Sequence, residues 1–271
     1  MDHRPTDEEI ARDLEFAATA AREAGERVLA LRRSGRWTGS VLADIGDQAA
    51  DSLLQGYLRG RYPDDGVLSE ETADSWDRLG RERTWIVDPL DGTREFSELR
   101  EDWSVHVALT IGSRCALGAV ALPVRGDVLW GVALPGRERA GTRSGAALCR
   151  GDSAPRTPPR VVVSRSHTPP WVERFATAMG AELLPCGSAG YKVSLLLRGE
   201  ADVYVHKAGL KEWDTCAPET VARALGWHVG RLHGEAHRYN QRDPRNHELV
   251  VCRPAMREAV TAHLRAAGAI D

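Results

Sequence analysis

Two carboxylates three residues apart, Asp88 and Asp91, close an apolar run in the segment Trp85-Ile86-Val87-Asp88-Pro89-Leu90-Asp91-Gly92-Thr93. Trp85, Ile86 and Val87 suit a strand that delivers Asp88 to its end. Pro89, with no N–H to donate, is expected to stop the ladder there. The bend lets the two carboxylates converge, and the Leu90 carbonyl can point at the same place. Such a set offers only oxygen, a hard donor shell suited to Mg²⁺ rather than zinc. Gly92 and Thr93 follow with backbone N–H groups near a possible helix start, where a phosphate would bind. A strand followed by an Asp-Gly turn accounts for part of the pattern. Asp-Pro-x-Asp-Gly-Thr fixes five residues, however, and at roughly one in fifteen each chance supplies it about once in a million positions.

At these residues the chain resembles the inositol monophosphatase-like superfamily of Mg²⁺-dependent, Li⁺-sensitive sugar and nucleotide phosphatases. The resemblance runs through nearly the whole chain in motif order. Leu68-Ser69-Glu70-Glu71 is similar to the family's upstream acidic pair, and Trp213-Asp214-Thr215-Cys216-Ala217 to its distal Trp-Asp motif, which opens a helix. It implies a phosphomonoester hydrolase in which two or three Mg²⁺ ions neutralise charge, orient water and stabilise the leaving group. Glu70, Asp88 and the Leu90 carbonyl would hold the first ion. Asp88, Asp91 and Asp214 would hold the second, with Asp88 bridging. Glu70, together with Glu71, would hold a weaker third ion near the nucleophilic water.

The same resemblance pairs Thr93 with Asp47 as the base relay. Asp44 competes for that role, because residues 36–45 lack the family's lysine-containing loop. Read alone, Asp47 in Gly46-Asp47-Gln48-Ala49 also fits an acid complementing a helix dipole. Trp213-Asp214 likewise fits a packed Trp beside a helix-capping Asp. Clustered carboxylates raise one another's pKa until cations arrive, which argues against a purely structural role for all four acids.

The ends of the motifs lean away from inositol. Thr93-Arg94-Glu95-Phe96, Asp102-Trp103, Gly187-Ser188-Ala189-Gly190-Tyr191-Lys192 and Arg238-Tyr239-Asn240-Gln241 are most similar to bacterial 3′(2′),5′-bisphosphate nucleotidases of the actinobacterial type. The implied substrate is 3′-phosphoadenosine 5′-phosphate, converted to AMP and phosphate. A bisphosphate nucleotide needs a second anion site and a platform for the base. Lys192, His206 or Lys207, and Arg238 are the candidate anion partners. Tyr239 or Trp213 are the candidate stacking faces. Each also has an ordinary structural reading: an exposed helix lysine, a strand-end histidine, a core aromatic. Alternatives within the fold are inositol phosphate, a sugar bisphosphate, histidinol phosphate or a phosphorylated natural-product intermediate. A non-catalytic interaction protein would have lost at least one acid, and Glu70, Asp88, Asp91, Thr93 and Asp214 are all present.

These residues need elements to position them. Thr6-Asp7-Glu8-Glu9 reads as a capping box opening a helix to about Leu31. A second helix is expected from near Gly46 to Arg59, stopped at Arg61-Tyr62-Pro63. Strand signals follow at Thr84–Val87, Ser104–Ile111, Ala116–Leu122 and Asp127–Ala133, in the rhythm of an antiparallel meander. Residues 135–160 read as loop and junction. Beyond them strands at Val161–Ser164, Glu182–Pro185 and Ala201–His206 alternate with helices at Pro170–Met179, Ala189–Leu197 and Ala217–Leu225. That alternation argues an α/β half. We expect an N-terminal α+β half over 1–140 carrying most metal ligands and a C-terminal α/β half over 141–271. Periodicity alone gives α/β with an antiparallel half. The resemblance implies the layered αβαβα sandwich of the inositol monophosphatase and fructose-1,6-bisphosphatase type.

With 271 residues the chain can bury an ample core, and 42% hydrophobic with 28% charged residues is ordinary for a globular protein. A net charge of −3 gives no support to nucleic-acid binding. Three of the 36 basic residues are lysine, a bias read as that of a GC-rich genome. Five scattered cysteines without a CxxC disfavour a disulfide framework and a zinc site. The polar N-terminus is unlike a signal peptide, and no run reaches the ~18 apolar residues of a membrane span. A cytoplasmic setting and, from the resemblance, a homodimer are expected.

Overall fold

The computed structural model describes residues 5–166 and 168–271; the opening Met1–Arg4 of the polar N-terminus lies outside them. Thr6 and Glu9 form the expected capping box: the Glu9 N–H donates to Thr6 Oγ1 (3.2 Å), and the Thr6 N–H donates to Glu9 Oε2 (2.7 Å). Helix α1 then runs Asp7–Arg33 and helix α2 runs Gly39–Arg61. The second helix therefore starts before Gly46, not at it. Gly46 is a packing glycine: a Cβ there would approach Phe96 Cε1 to 2.9 Å and Leu90 Cδ2 to 3.1 Å. Asp47 consequently lies inside a helix, which removes its reading as a helix-start charge.

Six strands make the first sheet in chain order: β1 (Gly66–Ser69), β2 (Arg83–Asp91), β3 (Ser104–Ile111), β4 (Arg114–Leu122), β5 (Asp127–Val132) and β6 (Arg139–Thr142). β1 pairs parallel to β2, and every later neighbour is antiparallel. The meander is as expected, but β2 does not end at Val87. It pairs Asp88 with His106 and Asp91 with Ser104, with a register shift between them. Pro89 occupies that irregularity, where a missing N–H costs no ladder bond. The shift re-aims the carboxylates. β6 falls in the stretch read as loop.

The second sheet has the order β10-β11-β9-β7-β8, from β7 (Arg160–Ser164), β8 (Glu182–Cys186), β9 (Val203–Lys211), β10 (His228–Gly230) and β11 (Arg245–Cys252). Its helices are α4 (Pro170–Ala178), α5 (Ala189–Leu197), α6 (Glu212–Ala224) and α7 (Arg257–Ala266); a five-residue helix α3 (Thr93–Ser97) follows β2. α6 begins at Glu212, five residues earlier than expected, and carries buried Pro218 inside it. β10, β11 and α7 were not anticipated.

Three apolar clusters stack these pieces into five layers. Alternate residues of the first sheet, Trp85, Val87, Val105, Val107, Leu117 and Ala119, pack against α1 and α2. Its opposite face, with Ile86, Ala108 and Val120, meets α5, α6 and the inner face of the second sheet. The outer face of that sheet is covered by α4 and α7 through Val161, Phe175, Val250 and Leu264. The central strands β2 to β5 are thus buried on both faces for most of their length, and every fully buried Val or Leu contributes about 1.5–3 kcal/mol. The result is an α/β sandwich in the order αβαβα, as expected. No described helix is long and apolar enough to cross a membrane.

Candidate active site

Acids from four segments meet where β2, β1, α2 and α6 converge. Asp88 is fully buried. Its Oδ1 accepts the Leu90 N–H at 3.1 Å, while its Oδ2 has no hydrogen-bond partner. A buried carboxylate oxygen left bare is rare, and a cation is a natural partner. Burial first, then the charges of Glu70, Asp91 and Asp214, push the Asp88 pKa well up. Asp214, third in α6, accepts the Lys211 N–H at 2.6 Å through one oxygen; burial and Asp91 raise its pKa to about 7. Glu70 stands at the exposed rim just after β1. Lost hydration, then Asp214, Asp91, Glu71 and Asp47, raise it to about 8. Solvent at the rim screens these charges and softens the shift.

Asp91 behaves oppositely. Burial would raise its pKa, but the charge and hydrogen bond of His106, then Lys192 and Ser188, hold it near 2. Its Oδ2 lies 2.5 Å from Ser188 Oγ, 2.9 Å from the Gly190 nitrogen and 3.2 Å from His106 Nε2. Ligand atoms of Asp88, Asp91 and His106 all fall within 4.8 Å of one another. The donor set fits a hard divalent cation: buried carboxylates, a bare buried oxygen and a nearby carbonyl.

Thr93 opens α3. Its hydroxyl can donate to the Leu90 carbonyl (3.0 Å) or to Asp47 Oδ1 (3.4 Å). Gly92 before it has φ +92°, and a Cβ there would crowd the Asp102 carbonyl, Ser188 and Trp103, each at 3.2 Å. Burial, then Glu71, pushes the Asp47 pKa to about 7 against the opposing Thr93 hydrogen bond. That value suits a base at neutral pH. Asp44, the competitor, is exposed on the same helix and enters only as a weaker charge acting on Asp47.

The substrate-binding expectations fare less well. Tyr239 is 1% exposed, with its hydroxyl on Glu219 (2.7 Å) and Thr215 (3.1 Å). A ring enclosed this way cannot stack on a ligand. Lys192 is 4% exposed with Nζ 5.2 Å from the Tyr204 ring centroid. Burial lowers its pKa against the pull of Asp91, so it balances charge inside the protein instead of waiting at the surface. Arg238 is exposed in an open groove with Arg231, His233, Arg242 and Arg245. Trp213 is half-buried against the core between the sheets. His206 and Lys207 line a cavity of about 320 Å³ with Val163, Pro169, Trp171 and Val205. β9 leads from that cavity to Lys211, the residue that caps onto Asp214.

Sequence reasoning missed Ser104, His106 and Ser188, which surround Asp91. A histidine in a strand buried on both faces was the available signal, since a buried imidazole needs partners.

The pKa directions yield a stability test. Asp88, Glu70, Asp214 and Asp47 are raised above their unfolded values. Their contribution is fully present below about pH 4 and is lost as pH rises, for Asp214 and Asp47 through about 7. Asp91 runs the other way, losing its contribution only as pH falls from 3.8 toward about 2. We expect saturating Mg²⁺ to raise Tm by several degrees more at pH 8 than at pH 6, because bound cations favour the ionised carboxylates. An increment that does not change with pH between these values would contradict the assignment.

Comparisons with known proteins agree with this geometry. Residues 9–269 match the model of the inositol monophosphatase family. The 3′-phosphoadenosine 5′-phosphate phosphatase of Mycobacterium leprae is 40% identical over 252 residues, 89% of each chain. The 3′(2′),5′-bisphosphate nucleotidase CysQ of Escherichia coli K12 is 32% identical over 73% of this chain and 79% of its own. Among solved structures, CysQ of Bacteroides thetaiotaomicron, a bacterial member of the inositol monophosphatase family, superposes with a TM-score of 0.74 at 30% identity, covering 89% of this chain and 97% of its own. The chain belongs to the inositol monophosphatase family.

Proposed function

We propose that this protein is a Mg²⁺-dependent phosphomonoesterase that converts 3′-phosphoadenosine 5′-phosphate and water to AMP and phosphate. The observation that carries the metal chemistry is the buried, unpartnered Oδ2 of Asp88 among Glu70, Asp91 and Asp214. Glu70, Asp88 and the Leu90 carbonyl would hold one ion; Asp88, Asp91 and Asp214 a second; Glu70 and Glu71 a third. When bound, these ions supply positive charge to the phosphate and acidify water.

The chain's own residues do the rest. With its proton directed to Asp47, the Thr93 hydroxyl oxygen accepts a hydrogen bond from water and orients it. Asp47 is the final proton acceptor. Attack of that water oxygen on phosphorus breaks the P–O bond to the ribose 3′-oxygen, which takes up a proton from solvent, while Asp47 later returns its own to solvent. The N–H groups at Gly92 and Thr93, at the start of α3, would hold phosphate oxygens.

The substrate class is supported by the Mycobacterium leprae relative and by the apolar cavity beside β9. An adenine would enter that cavity against Trp171, with Lys207 at its mouth for the 5′-phosphate. These replace Tyr239, Arg238 and Lys192 in that role. Trp171→Ala is expected to raise KM for the nucleotide about tenfold, the scale of one lost stacking contact. An equal rise for inositol 1-phosphate would show that Trp171 is structural. Product identity gives the direct test: ³¹P NMR should show AMP and inorganic phosphate, and release of the 5′-phosphate would overturn the assignment. The reading includes a homodimer, open to sedimentation analysis, and a reducing cytoplasmic setting.

A further inference from the structure

One imidazole joins the two ends of the acid cluster. His106 lies on β3 opposite Asp88, is fully buried, and makes polar contacts through both ring nitrogens. Its Nδ1 is 3.0 Å from the Trp213 carbonyl. A carbonyl only accepts, so Nδ1 carries a hydrogen and donates to it. Its Nε2 is 3.2 Å from Asp91 Oδ2 and 2.8 Å from Ser104 Oγ. Ser104 Oγ in turn lies 2.7 Å from Ser188 Oγ and 3.3 Å from Asp91 Oδ2. Four groups from two segments, β3 and the start of α5, therefore converge on one oxygen of Asp91: Ser104, His106, Ser188 and the Gly190 N–H.

The neighbouring glycine is shaped to this imidazole. A Cβ at Gly190 would fall 2.1 Å from His106 Nε2 and 2.6 Å from Ser104 Oγ. Any larger residue there would displace the ring. Through Nδ1 the same ring reaches the peptide unit just before Asp214, on the element that begins more than a hundred residues after β2.

We propose that His106 is a positioning residue that locks Asp91 against the start of α6, fixing the separation of the acids that hold the second cation. The proposal rests on the metal reading given above. Groups behind a metal ligand commonly set its orientation, and their loss costs 10–100-fold in metal affinity. Asp91 Oδ2 is already surrounded by donors, so the ring is expected to stay outside the coordination shell.

Mn²⁺ binding, followed by electron paramagnetic resonance without any substrate, tests this. His106→Phe removes both contacts and should weaken Mn²⁺ binding 10–100-fold. His106→Gln reaches the Nε2 position and should recover most of the loss, while His106→Asn, which keeps only the donor to Trp213, should not. Should the phenylalanine variant fail to fold, the Gln and Asn pair carries the comparison. Equal Mn²⁺ affinity in wild type and His106→Phe, or in the Gln and Asn variants, would overturn the proposal. Spin-echo modulation showing a nitrogen bound directly to Mn²⁺ would also overturn it, by making His106 a ligand. Failure of the wild-type protein to bind Mn²⁺ would instead sink the metal reading itself.

Discussion

Asp88→Asn is expected to lower kcat about a thousandfold or more while raising the Tm of the metal-free protein. Both effects come from the same carboxylate. Asp88 is fully buried, feels Glu70, Asp91 and Asp214, and has one oxygen without a partner. An amide of the same shape removes that repulsion, so the metal-free fold gains stability. It also removes a negative ligand that would be shared by two cations. Cation stabilisation of transferring phosphoryl charge amounts to several kcal/mol, and about 4 kcal/mol is a thousandfold in rate. Parallel measurements of phosphate release and thermal melting check the pair of outcomes. Retained turnover would remove Asp88 from the metal set. Lost turnover with a lowered metal-free Tm would point to a damaged fold.

Thr93→Ala and Asp47→Asn should each cost 10²–10⁴ in kcat, the usual span for a lost general base, while leaving Mn²⁺ affinity within a few-fold of wild type. Neither residue belongs to the proposed cation sets. They meet through one contact, Thr93 Oγ1 to Asp47 Oδ1 at 3.4 Å. Because they act as a unit, the double variant should be no slower than the worse single variant. Multiplying effects would show that the two act independently and would break the relay. The pH profile adds a further sign. The Asp47 pKa is raised to about 7, so the metal-poor enzyme should gain rate as pH rises through neutrality. Added Mg²⁺ should move that limb to lower pH.

What could be read from the chain was local. Asp88, Pro89, Leu90 and Asp91 determine their own convergence, because the proline forces an irregularity between two nearby acids. Capping at Thr6 and the meander from Arg83 to Val132 follow equally from short-range pattern. What could not be read depended on contacts across long separations. Tyr239 looked like an open aromatic beside Arg238, yet Glu219 draws it inside together with His237, whose Nδ1 lies 2.6 Å from the same carboxylate. Lys192 looked like a surface cation until α5 was packed between the sheets. Gly46 signalled a helix start, while its actual cause is the approach of Phe96. His106 carried no spacing signal at all, because its partners Asp91 and Trp213 belong to other elements.

The central claim is metal-dependent hydrolysis of a nucleotide bisphosphate, and the most direct measurement is phosphate release with and without Mg²⁺ from a panel of esters. It should contain 3′-phosphoadenosine 5′-phosphate, inositol 1-phosphate, fructose 1,6-bisphosphate and histidinol phosphate. We expect Mg²⁺-dependent release with kcat/KM for the nucleotide about a hundredfold or more above the others, equivalent to about 2.7 kcal/mol of preferential transition-state binding. Preference for another ester would leave the acid cluster in place and contradict the nucleotide site at Trp171 and Lys207. Release that persists after exhaustive chelation would contradict the account at its root.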